Sequence, residues 1–238
     1  MAASTAASVR AFIAIALEPG LVAELKKVQQ ELQARLPDDS VRWTRPEQLH
    51  LTLKFFGHIA APRLNDLTAA LDRACAGIGP FQLALENVGC FPHTKKPRVI
   101  WTGIGGELES LSKLQERIEQ ETGNFGDHKP ERRFQPHLTI GRVKAFGMAA
   151  RRVGEVVARA HVCRLGGWTV RQIELVQSEL APQGARYSML AAVTLAHSGM
   201  TQNARRAGEG DGPVEGDESR VEARGISLPY RGEDLLEL

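Results

Sequence analysis

Histidine and threonine stand two residues apart twice in this chain. His50 and Thr52 lie in HLTLKFFG, residues 50–57, and His137 and Thr139 lie in HLTIGRV, residues 137–143. Side chains alternate across an extended strand, so each histidine shares a face with its threonine while Leu51 and Leu53, or Leu138 and Ile140, point the other way. The same alternation predicts Lys54 and Gly141 on the polar faces and Phe55 on an apolar back. Histidine is the side chain whose ordinary pKa lies near neutrality, so two imidazoles can serve at once as base and acid. Each such group typically contributes about 10²–10⁴-fold to a rate. A threonine hydroxyl beside each ring supplies a donor, and two of them from opposite sides can hold the non-bridging oxygens of a phosphate. That set suffices for phosphodiester displacement without a metal.

One HLT strand on its own is ordinary, because a lone strand histidine usually sits at the surface or in a core with a satisfied hydrogen bond. Repetition with the same flanking aliphatics, and with Pro46 and Pro136 shortly upstream, gives the pattern its weight. A metal site is the rival reading. Two histidines are too few ligands, and His58, His93, His128, His161 and His197 make no HxxxH or HExxH spacing, so no metal and no other cofactor is expected.

The elements that must carry these motifs alternate along the chain. Val9–Leu17 reads as an apolar strand, and Leu21–Leu36 has helical spacing and stops before Pro37. The first motif strand is predicted to end at Gly57, followed by a helix over Leu64–Cys75 and a strand in FQLALENVGCF. The second half repeats the rhythm: a strand in RVIWTGIG, a helix over Leu108–Thr122, the second motif strand, and a helix over Ala149–Ala160. Two last strands, WTVRQIELVQSEL and YSMLAAVTLA, are joined at Pro182, Gln183 and Gly184. The matching landmark of the two halves is the HLT strand, which predicts an α+β pseudo-repeat of two lobes with approximate twofold symmetry.

With 238 residues, 42% of them hydrophobic and 24% charged, the chain has material for a substantial core. No apolar run approaches the roughly 18 residues of a membrane span, so no membrane partner is expected. Arg10 interrupts the apolar stretch near the start, and residues 1–8 read as a flexible leader rather than a signal peptide. Three widely spaced cysteines, Cys75, Cys90 and Cys163, suit a reducing, cytoplasmic setting. The overall charge of +2 is uneven. Residues 197–238 hold five Arg against nine Asp and Glu and read as an acidic, disordered tail, which leaves the 9–196 body at +6. A mildly basic body suits a polyanionic substrate without demanding one.

Taken with their flanks, the motifs resemble the two HxTx signatures of the 2H phosphoesterase superfamily, and within it the RNA 2′,3′-cyclic phosphodiesterases, also called 2′-5′ RNA ligases. RAFIAIAL is similar to that family's opening strand, RWTRPEQLHLTLKFFG and ERRFQPHLTIGRV to its motif regions, GCFPHTKKPRVIWTGI to its mid-chain segment, and IELVQSEL with the following Tyr187 to its closing strands. The likeness covers roughly residues 9–196. It implies a bilobal fold of two antiparallel-rich sheets with outer helices and a cleft between the lobes. It implies His50 and His137 as catalytic residues, Thr52, Thr139 and Arg142 as phosphate-binding ones, and RNA ends carrying a 2′,3′-cyclic phosphate as substrate. A monomer is expected. Gly141 departs from the alanine frequent at its position. Trp43, Phe55, Phe56 and Phe91 are candidates for stacking on a base or for the core, and Lys54 and Arg133 are candidates for contact with the RNA backbone. Two readings stand beside this one: a related enzyme for a small cyclic nucleotide, and an RNA-end-binding module without catalysis.

Overall fold

The computed structural model describes residues 7–128, 133–160, 164–181 and 184–196. The expected tail and most of the expected leader lie outside them. Among the described residues two sheets, antiparallel throughout, carry four α-helices on their outer faces. The first sheet has the order β3–β1–β8–β9, from β1 (Ser8–Ala16), β3 (His50–Ala60), β8 (Gln172–Ala181) and β9 (Gly184–Thr194). The second has the order β2–β6–β5–β4–β7, from β2 (Val41–Trp43), β4 (Phe81–Phe91), β5 (Val99–Gly106), β6 (His137–Val143) and β7 (Arg164–Val170).

Each sheet thus runs outward from an HLT strand through three others, which is the expected internal symmetry. The lobes are not the two halves of the sequence. The first sheet joins the chain's beginning to its end, and the second takes the middle. The predicted C-terminal strand pair is therefore three strands, because the chain breaks at Arg171 and WTV ends β7 in the second sheet while β8 crosses to the first. Apolar continuity hid that break, since both segments bury alternate residues.

The helices are interlaced in the same way. Helix α2 (Leu64–Cys75) and helix α3 (Leu108–Glu121) pack on each other and back the first sheet, against β9 and β3. Helix α1 (Pro19–Gln33) and helix α4 (Gly147–Ala158) back the second, against β7 and β4. Leu67, Ala70, Leu71 and Ala74 on α2, and Leu111, Leu114 and Ile118 on α3, recur at three- and four-residue spacing and are buried. Pro19 opens α1, where its missing N–H costs nothing. The backs of both sheets join one core that includes Ile13, Ile15, Leu51, Leu53, Ile100, Leu138 and Ile140. Burying each such side chain is worth about 1.5–3 kcal/mol, which fixes which face of each motif strand looks outward.

Both motif strands are irregular just past the threonine. In β3, Thr52 lies opposite Ala14 and Lys54 opposite Ile13, so Leu53 is an extra residue. In β6, Thr139 lies opposite Trp101 and Gly141 opposite Ile100, so Ile140 is extra. A bulge moves every later side chain to the other face. Hence Phe55, not Lys54, shares the outward face with His50 and Thr52, and Arg142, not Gly141, shares it with His137 and Thr139.

Each bulge is tied to a helix by a buried polar side chain. Lys54 turns inward, its Nζ 2.6 Å from the Glu119 carboxylate and 3.4 Å from the Thr122 carbonyl of the α3 end. Gln29 of α1 donates to the carbonyls of Thr44 and Ile140, both at 2.8 Å. Lys54→Met is expected to cost about 1–3 kcal/mol in chemical denaturation, because Glu119 loses its cationic partner, keeping only Gln115, and the bulge loses its tether. The Lys54 side chain is 5% exposed, but Glu119 is 29% exposed and can turn to water, which keeps the cost below that of a fully buried pair. An unchanged midpoint would show the tether to be dispensable.

Candidate active site

The two motif strands are built alike at the atomic level. His50 Nδ1–H donates to the Gln48 carbonyl at 2.8 Å, and His137 Nδ1–H donates to the Gln135 carbonyl at 2.8 Å. In each case the carbonyl belongs to the residue two before the histidine, and that residue is a glutamine. Such a bond fixes both the ring's orientation and its tautomer, leaving Nε2 as the reactive nitrogen. His50 Nε2 meets the Thr52 hydroxyl at 3.0 Å. Since Nδ1 holds the proton, Thr52 donates and the Nε2 lone pair accepts.

Each ring is also packed by aromatics. Phe12 stacks on His50 at 4.7 Å between centroids, and Tyr187 approaches it edge-on at 5.3 Å. Phe91 approaches His137 edge-on at 4.9 Å and lies 5.2 Å from Trp101. Phe12, Ala14 and Val176, with Phe55 and Tyr187 against them, form a small apolar cluster separate from the main core, on the outward face of the first sheet. This dry setting governs proton affinity. Burial pulls the His50 pKa down to about 4, against the opposing pull of the Gln48 carbonyl. His137 is also lowered, first by burial and then by the Arg142 charge, with the Gln135 carbonyl opposing. Both rings are neutral at pH 7 in the ligand-free site.

The half-sites are joined through Tyr187 and Arg142. Tyr187 touches the His50 ring. Its phenol is held above its ordinary pKa by burial, while the charges of Arg142 and Arg10 pull it down. Arg142 in turn lowers His137. β3 and β6 also lie against each other where the sheets meet. One cleft therefore gathers His50, Thr52, His137, Thr139, Arg142 and Tyr187. Two neutral imidazoles, hydroxyl donors and a guanidinium can take up an anion and pass a proton in and out.

Three of the other candidates are placed elsewhere. Phe56 is 0% exposed in the core, where the bulges of β3 put it. Lys54 is committed to α3 on the back of the sheet. Trp43 lies over Gly141 on the face shared with Val41 and Val143 and packs on the core, so it does not face the cleft. A methyl on residue 141 would come within 3.1 Å of the Trp43 ring and 2.8 Å of Val41, which accounts for glycine there. Arg133 is exposed four residues before His137. Phe55 and Phe91 do reach the cleft side. Sequence reasoning gave no cleft role to Phe12 or to the paired Gln48 and Gln135, although the shared Gln-x-His-Leu-Thr spacing was there to be read.

Comparison with known proteins bears on the family and the fold. The sequence model described as LigT like Phosphoesterase matches residues 15–101 and 106–187. A Methanothermobacter thermautotrophicus protein named RNA 2′,3′-cyclic phosphodiesterase is 34% identical over 181 residues, covering 76% of this chain and 95% of that one. A Thermus thermophilus protein of the same name is 31% identical over 204 residues, covering 84% and 97%. Among solved structures, a Thermus thermophilus protein superposes with a TM-score of 0.61 at 28% identity, covering 79% of this chain and 99% of that one. The Escherichia coli LigT complex with 3′-AMP superposes with a TM-score of 0.63 at 22% identity, covering 80% and 100%, a likeness of fold.

Proposed function

This chain belongs to the LigT-like phosphoesterases, a family of hydrolases, and on that premise we propose that it is an RNA 2′,3′-cyclic phosphodiesterase, opening a terminal cyclic phosphate to a 2′-phosphomonoester. The observation that carries this reading is the matched pair of half-sites. In both, an imidazole is anchored through Nδ1 to the carbonyl two residues back, on a strand whose outward face also bears the threonine.

In this reading, the cyclic phosphate enters between the rings, with Thr52 and Thr139 donating to its non-bridging oxygens and Arg142 offsetting its charge. Neutral His137 takes a proton from water as that water's oxygen bonds to phosphorus. The bond from phosphorus to the 3′ oxygen breaks, and protonated His50 gives its Nε2 proton to that oxygen. Arg142 lies beside His137 and favours its neutral form, which suits the base. The entering anion raises the proton affinity of His50, which suits the acid. The two rings titrate as a coupled pair, so the productive state holds one proton between them. With an RNA 5′-hydroxyl attacking in the place of water, the same displacement would form a 2′-5′ linkage.

The test is an oligonucleotide ending in a 2′,3′-cyclic phosphate, incubated with EDTA, with the terminal isomer then identified. A 2′-phosphate is expected. A 3′-phosphate product, loss of turnover on chelation, or tight binding without turnover would each contradict the reading.

A further inference from the structure

Arg42 and Arg142 are partners across β2 and β6, so both side chains leave the sheet on the same face. It is the face of His137 and Thr139, because the bulge at Ile140 turns Arg142 there. Like charges directly opposite across a strand pair are destabilising. None of the ion pairs among the described residues includes either arginine. The core does not engage Arg42 either, since Val41 and Trp43 take the other face of β2. Two guanidiniums side by side on a cleft wall, with no carboxylate partner among the described residues, are what a ligand with two anionic groups would offset. The positions differ in a useful way. Arg142 is half-buried and electrostatically coupled to His137 and Tyr187, whereas Arg42 is exposed on the edge strand of the sheet, one strand further from His137.

We propose that Arg42 binds a second phosphate, the one 5′ to the nucleoside that carries the cyclic end, so that the site favours oligonucleotide ends over cyclic mononucleotides lacking that group. This rests on the function proposed above. Arg142 takes the reacting phosphate and Arg42 its neighbour one nucleotide along, and the two anions together relieve the repulsion between the arginines. Bidentate pairing with phosphate oxygens is the recognition for which a guanidinium is suited.

The experiment compares adenosine 2′,3′-cyclic phosphate with its 5′-phosphorylated form. In the wild-type enzyme the added phosphate raises kcat/KM by about five- to tenfold, the range of a charge-assisted contact at an exposed site. In Arg42→Gln that ratio falls to near one, and Arg42→Lys keeps part of it. The dependence on salt for the 5′-phosphorylated substrate becomes shallower in Arg42→Gln by about one counterion. The variant's Tm stays level or rises, because a repulsive partner has been removed. Calorimetric binding of adenosine 2′-monophosphate and adenosine 2′,5′-bisphosphate gives the same ratio without turnover. If neither cyclic compound is opened, the phosphodiesterase reading fails while the calorimetry still decides the role of Arg42. A ratio unchanged by Arg42→Gln, in kinetics or in binding, overturns the proposal, as does an equal loss on both substrates.

Discussion

His137→Gln is expected to lower kcat/KM on a 2′,3′-cyclic phosphate end by roughly 10²–10⁴-fold, and His50→Gln by a comparable factor. Glutamine keeps a polar side chain at the site but cannot exchange a proton near neutrality. The double variant should lose far less than the product of the two factors, because the rings act as one relay. The pH profile separates the roles. Burial holds both rings below the ordinary histidine pKa, His50 at about 4, and the free enzyme that meets substrate must hold one proton between them. As pH falls from 8 the productive fraction therefore rises, and it declines again only when both rings are charged. The optimum of kcat/KM should lie between about 4 and the ordinary histidine value near 6.5. Bound phosphate raises both pKa values, so the kcat profile should lie at higher pH than that of kcat/KM. His50→Gln should lose the alkaline limb, since the acid is gone, and His137→Gln the acidic limb. An optimum of kcat/KM above 7.5, or turnover undiminished in either variant, would defeat the two-histidine account.

How much of this was legible beforehand divides along one physical line. The histidines and the threonines could be read because alternation and repetition are local properties of the chain, whereas Arg142 came only from the family resemblance, since plain alternation turns it to the back of the strand. Lys54, Phe55 and Gly141 were misassigned because alternation has no means of announcing a bulge. One extra residue at Leu53 and another at Ile140 reversed the side chains that follow, in β3 as far as a second shift at Phe56. The causes of those bulges lie far away, in Glu119 of α3 and Gln29 of α1, and no short window contains both ends of such a bond. The placement of β8 beside β1, with β9 beyond it, escaped for the same reason, since strand order is set by packing between segments more than 150 residues apart. For Trp43 the sequence leaves stacking and the core both open, and its register settles it: it alternates with Arg42 on β2 and packs on the core.

Gly154→Ala carries the second large effect, and two physical arguments give it opposite signs. Alanine in place of a mid-helix glycine normally stabilises by roughly 0.5–1 kcal/mol. Here α4 runs against the loop that follows β4, and a methyl on residue 154 would lie 1.7 Å from the Thr94 carbonyl oxygen and 2.6 Å from its carbon. These are backbone atoms, so either the helix withdraws or the loop moves, and overpacking of that kind costs about 1–3 kcal/mol. The clash should win, with a Tm lower by about 2–4 °C for each kcal/mol lost. Gly20→Ala is the control, because nothing lies within 4 Å of the added methyl and α1 has just begun. Its Tm should hold or rise. The consequence for chemistry follows from the same loop. Phe91 ends β4 immediately before it and closes one side of the His137 ring at 4.9 Å. If the loop shifts, water reaches His137, the burial that lowers its pKa is relieved, and that pKa returns toward the ordinary histidine value. The pH optimum of kcat/KM should then move to higher pH in Gly154→Ala and stay in place in Gly20→Ala. A Gly154→Ala protein that melts above the wild type would mean that α4 does not press on Thr94, and the route from that helix to His137 would be lost with it.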